Sequence, residues 1–181
     1  HRRAGSINMS KAINIANEME VYLDALINAD LNNAIADVVA GNGTAEEKDV
    51  AVAELEEKKI DVIVDKQKDI ETEILKSVEK AKGAAVVILY VGGKNLENEG
   101  GSGYFRKKVS YSVSVHTLAV LRDGGESADE LVEMIEKAMD GWTPNEAVHV
   151  CYEQMHVIGD EMVPDPSFLI YDIQMALEVR I

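Results

Sequence analysis

The stretch YVGGKNLENEGGSGYFRKK, residues 90–108, places five glycines between an apolar run and a basic cluster, the composition of a loop that cradles phosphate. Phosphate binding there would need a helix N-terminus aimed at the anion. After Gly103 the chain instead takes up a strand pattern, and no Gly-Lys-Ser/Thr is present. The stretch therefore reads as a long hairpin loop over 94–104. Lys94, Asn95, Gly100, Gly101, Gly103 and Tyr104 are its candidate assembly residues, mobile in a free monomer and ordered against a partner.

Two other groupings have the residue types of catalysis. His149, Cys151 and Glu153 fall on one face of an apparent strand, as a nucleophile with its base or a pair of metal ligands would. Same-face neighbours on a strand stand about 6.5 Å apart at their bases, which strains a nucleophile–base hydrogen bond. No third ligand of matching chemistry is evident, so a half-buried cysteine on a sheet face is the simpler reading. His116 among Ser110, Ser112 and Ser114 suggests a hydrolase. A nucleophilic serine, however, usually sits on a sharp turn, and small hydroxyls on a strand face are more simply a close-packed or solvated surface.

Charge offers a different kind of site. The chain of 181 residues carries a formal net charge of −15, and residues 121–165 hold twelve acids against only Arg122 and Lys137. Such a surface repels phosphate backbones, which excludes ordinary sequence-specific nucleic-acid binding, although it could line a conduit that DNA passes without sticking. Arg106, Lys107 and Lys108 form the dense basic cluster of the chain. Contact between unlike patches on successive subunits generates closed rings when the rotation fits. The expectation is that this cluster meets an acidic neighbour, with Glu133 and Glu136 as partners.

The elements that position these residues are legible in the periodicity. Ile13, Ala16, Met19, Leu23, Leu26 and Ile27 recur at helical spacing with Ser10 as N-cap, and LNNAIADVVAGNG continues as helix to Gly41. Thr44 and Glu47 have capping-box spacing for a helix over 45–58. KIDVIVD alternates as a short strand, Ile70 to Ala81 returns to helix and ends at Gly83, and AAVVILYV, 84–91, reads as the strand in the middle of the sheet, apolar on both faces. Val109 to Leu121 alternates with Ser110, Ser112, Ser114 and His116 as the clearest strand. A second capping box, Ser127 with Glu130, opens a helix with Leu131, Ile135 and Met139 on one stripe; it stops at Gly141, and Trp142 is placed to plug the helix to the sheet. AVHVCYEQMHVI and FLIYDIQMALEVRI read as two closing strands, with 159–166 as their connection.

This order is α+β: a mostly antiparallel sheet covered by helices, with an N-terminal helical segment. One domain is expected over 9–181, helical over 9–58 and sheet-containing over 59–181, with residues 1–8 read as a tag or vector scar. No apolar run reaches the roughly 20 residues that span a bilayer, and there is no secretory signal pattern, so a soluble protein with no membrane partner is expected. A single cysteine excludes an internal disulfide and fits a reducing compartment.

The segments AAVVILYVGGKN, VSYSVSVHTLAV, ADELVEMIEKAMDGWTP and YDIQMALEVRI, in that order, resemble the tail terminator family of long-tailed bacteriophages, especially its Mu-like branch. The likeness covers about residues 60–181, while the helical insertion over 31–58 departs from it. The resemblance implies a structural protein without catalytic residues or a cofactor. It would form a six-membered ring on the growing tail, cap the tail tube protein and offer a docking face to a head-completion or connector protein. It also implies a place in the virion tail after assembly in the host cytoplasm. The alternatives are another tail or neck component, such as a head-tail connector or tail completion protein, and a small enzyme of unknown reaction.

Overall fold

The computed structural model describes residues 9–65, 69–80, 83–96, 106–117, 128–145, 154–165 and 169–180. Their elements run α1 (Met9–Ile27), α2 (Ala29–Ala40), α3 (Ala45–Glu56), β1 (Asp61–Val64), α4 (Ile70–Val78), β2 (Ala84–Leu96), β3 (Arg106–Thr117), α5 (Ala128–Met139), β4 (His156–Pro164) and β5 (Leu169–Arg180). The strands form one five-stranded sheet in the order β1-β2-β3-β5-β4. Only β1 and β2 are parallel, and α4 makes the crossover that a parallel pair requires. The remaining pairs are antiparallel, which makes the fold α+β as the order of elements predicts.

Register explains the core. Val86 pairs with Val115 and Ile88 with Val113, and across the next ladder Val113 pairs with Ile173 and Val109 with Leu177, so one face is apolar from β2 to β5. Helices α1 and α5 cover that face with Ile15, Met19, Leu23 and Ile27 and with Leu131, Val132, Ile135 and Met139, all buried in the same cluster. Tyr111 is buried there too, and its hydroxyl donates to the Ala12 carbonyl at 3.1 Å, which ties the start of α1 to β3. Helix α4 lies on the opposite face against β2 and β3, where Val78, Ala85 and Val87 are buried.

Several boundaries differ from the sequence reading. Helix α1 begins at Met9, so Ser10 lies in its first turn instead of capping it. Leu26 is exposed, because the buried stripe runs through Ala12, Ile15, Ala16, Met19, Leu23 and Ile27. Strand β3, flanked by β2 and β5, is the middle of the sheet, a place expected of β2. Residues 159–164, read as a connection, belong to β4. Gly, Asp and Pro are turn signals in isolation, but an edge strand tolerates inward charge, a bulge and a terminal proline. Here the register shifts between Val157 and Gly159, and β5 is long enough to template the rest. The capping box at Ser127 lies outside the described residues.

The junction of α1 and α2 is tied to the sheet by a polar side chain. Asn28, between α1 and α2, is 1% exposed. Its amide nitrogen donates to the Ile60 carbonyl at 2.9 Å, and its oxygen accepts from the Ile60 amide at 3.0 Å. Beyond it, α2 and α3 pack on each other without a buried residue in either. The capping box of α3 forms as its spacing predicts, with Glu47 N–H donating to Thr44 Oγ1 and Thr44 N–H donating to a Glu47 carboxylate oxygen. That second bond holds the Glu47 carboxyl below its ordinary pKa.

Candidate assembly surface

The basic cluster lies within β3, the strand flanked on both sides by partners, and strand alternation divides it. Lys107 shares the face of Val109, on the side of α1 and α5, while Lys108 is on the face of Ser110 and Ser112. A Cβ on Gly93 would come within 2.5 Å of Lys107 Cε, so the absence of a side chain at Gly93 is what lets the Lys107 stem cross β2. On the other face Lys108 is in register with Lys94 on one side and Glu178 on the other. Arg106 stands in register between Leu96 and Arg180. Lys107 and Lys108, adjacent in sequence, thus lie on opposite faces of the sheet, a consequence of the period of two.

The first part of the expected loop is strand. Lys94 and Asn95 pair with Lys108 and Lys107 at the end of β2, because the hairpin ladder carries regular pairing past the apolar run. Gly100, Gly101, Gly103 and Tyr104 lie outside the described residues, as do His149, Cys151 and Glu153.

On α5, the two expected acidic partners differ. Glu133 is engaged by Lys137 one turn on, at 2.6 Å, and that contact lowers its carboxyl pKa. The Glu136 carboxyl is raised instead, first by partial burial and then by the negative fields of Asp160 and Glu133. Among the described residues, no ion pair joins Lys107 or Lys108 to either glutamate within one chain.

The serine face contains the arrangement closest to an acid–base pair. Ser114 Oγ lies 2.9 Å from His116 Nε2, and Ser112 donates a short hydrogen bond to Asp172. The rotamers thus close the distance that separates same-face positions at their bases. An acyl-transfer site also needs amides aimed at a developing oxyanion. Those of β3 run between two ladders, with β2 on one side and β5 on the other. The pair reads as part of a hydrogen-bonded polar face. Burial lowers the His116 pKa, against the opposing influence of Asp165 and Asp172. The folded state thus prefers the neutral imidazole. Stability is expected to fall as pH drops below the unfolded histidine value of about 6.5 and to level off below the folded pKa. His116→Gln should flatten that slope in denaturant melts between about pH 5 and 7. An unchanged slope would place the titration elsewhere.

The groove beside Trp142 and the outer edge of β4 carried no clear sequence signal. Trp142 comes after Gly141, whose φ of +84° is left-handed, and the turn is closed by Gly141 N–H to Met155 O and Met155 N–H to Trp142 O. This swings the indole to within 6.0 Å of the Tyr22 ring on α1, so it bridges the two helices as well as packing on the core. Beside it lies a groove of about 560 Å³ lined by Asn14, Asn17, Val21, Tyr22 and Trp142. The second feature is the outer edge of β4. Its apolar residues are separated by Gly159, Asp160 and Glu161, which conceal the alternation.

No protein-family model matches the chain, and no curated protein matches it. Among the described residues, no group of three or more His, Cys, Asp and Glu side chains is placed to hold a metal ion, and no helix is long and apolar enough to cross a membrane.

Proposed function

We propose that this protein is a tail terminator-like structural protein of a phage or prophage. It assembles with itself as a ring, six-membered in the complete tail, caps the tail tube protein and presents a docking face to a head-completion or connector protein. The observation that carries the reading is the order of the segments bearing the resemblance. They fall in sequence on β2, β3, α5 and β5, and these pack as one layer of sheet and one layer of helix. The acidity of the chain suits a lumen through which DNA moves without binding. Cations on both faces of β3 and the acidic pair Glu136 and Asp160 offer the unlike patches that a head-to-tail contact between subunits requires.

The test is self-association. The native protein should form a ring-sized species by light scattering, and salt should weaken it, since exposed charges are screened within about 10 Å at 0.1 M. Lys107→Glu with Lys108→Glu should reduce association about tenfold or more. Adding Glu133→Lys and Glu136→Lys should restore part of it. Association indifferent to both the reversal and the salt would contradict the charge-paired contact. A protein that stays monomeric at every concentration and leaves tubes uncapped would contradict the ring itself.

A further inference from the structure

We propose that the outer edge of β4 is a docking site for an extended, basic segment of a partner protein, which adds to the sheet as another strand. β4 closes the strand order at one end of the sheet and runs for 9 residues, whereas β1 at the other end has 4. Among the described residues no strand pairs with its outer side. An edge of this length presents a row of backbone donors and acceptors, the template that strand addition uses.

The side chains along the edge are unusual for one facing only water. Ile158 is 58% exposed, Met162 59% and Val163 37%. Met162 is on the helix side of the sheet, in register with Tyr171, and Val163 is on the other, in register with Ile170. An added strand would therefore find apolar contacts on both faces.

Charge selects the occupant. Asp160, in register with Ile173, and Glu161, in register with Asp172, occupy the centre of β4 on opposite faces. Glu136 of α5 adds its field beside Asp160. A depression of about 180 Å³ at the bulge is lined by Ile158, Gly159, Asp160, Glu161, Asp172 and Gln174. An incoming strand with cations at adjacent positions, one for each face, and apolar residues toward the Met162 end complements this pattern. A second copy of β4 does not. Centred antiparallel pairing, like in-register parallel pairing, brings the acidic residues of both copies together, and like charges directly opposite are destabilising. The chain's own basic run is excluded as the added strand, because both edges of β3 are already occupied by β2 and β5. The partner is thus another protein, recognised by main-chain bonding and by lysine or arginine. The inference does not depend on the ring reading.

The probe is a synthetic peptide of about ten residues with two adjacent lysines at its centre, one for each face, and valine and threonine on either side, long enough to cover a typical strand. Two controls accompany it: the same sequence N-methylated at alternate residues, which keeps the charge but cannot complete a ladder, and a glutamate analogue. The unmodified basic peptide should bind by fluorescence anisotropy and slow hydrogen exchange of amides within 156–164. N-methylation should weaken binding about tenfold or more, as should Asp160→Lys with Glu161→Lys, and the glutamate analogue should not bind. Both substituted residues are exposed, so the variant should melt as the native protein does. Absence of binding, equal binding of the N-methylated peptide or the variant, protection confined to other segments, or a dimer formed through β4 in the free protein would each overturn the proposal.

Discussion

Replacing Ile173 or Leu177 by alanine should lower the unfolding free energy by about 2 to 5 kcal/mol, the cost of truncating a fully buried aliphatic side chain. Both side chains are essentially inaccessible. Ile173 is in register with Val113, and Leu177 with Val109, where α1 and α5 close over β3 and β5. Removing either loses the transfer free energy of the missing carbons. It also leaves a cavity that a sheet fixed by ladders on both sides cannot collapse to fill. Denaturant melts should show a lower midpoint with little change in slope. A loss below about 1 kcal/mol would mean that the register of β5 against β3 is not the one described.

The second large effect belongs to a polar residue. Asn28→Ala should cost about 2 to 4 kcal/mol, because it removes two buried hydrogen bonds and leaves both backbone groups of Ile60 without the partner that satisfies them. Asn28 Nδ2 also donates to Asp24 Oδ1 at 2.9 Å. The single amide therefore fixes the end of α1, the start of α2 and the entry to β1 at one point. Asn28→Asp keeps an acceptor for the Ile60 amide but sets a carboxylate against the Ile60 carbonyl and the Asp24 carboxylate, so it should be no better tolerated than alanine. Thermal melts of the two variants check this, and native-like stability of the aspartate variant would show that the donors of Asn28 contribute nothing.

These three residues also show what the sequence makes legible. Ile173 and Leu177 stand out because β5 alternates without interruption, and the period of two assigns its faces before any partner is known. The stripe of α5, the capping box at Thr44 and the stop at Gly141 are equally local signals, and each is found where its spacing puts it. Asn28 is not legible, because its role depends on a contact 32 residues away. β4 is obscured for a related reason: Gly159, Asp160 and Pro164 have the composition of a turn, and only the length of β5 makes a strand of them.

The candidate surface shows the same division. Three consecutive cations look like a patch in sequence, but strand geometry sends Lys107 and Lys108 to opposite sides. Glu133 and Glu136 look equivalent on one helix. Lys137 pairs with the first, whereas the second is partly buried and lies in the negative field of Asp160 on β4. Charge is visible in the chain, and its partners are set by the fold.

The most direct measurement of the central claim is electron microscopy of polymerising tail tube protein with and without this protein. The account predicts ring-shaped density at one end of each tube and arrest of elongation when the protein is added. The doubly reversed Lys107→Glu, Lys108→Glu variant should leave tubes uncapped and growing. Tubes of unchanged length with bare ends in the presence of the native protein would contradict it.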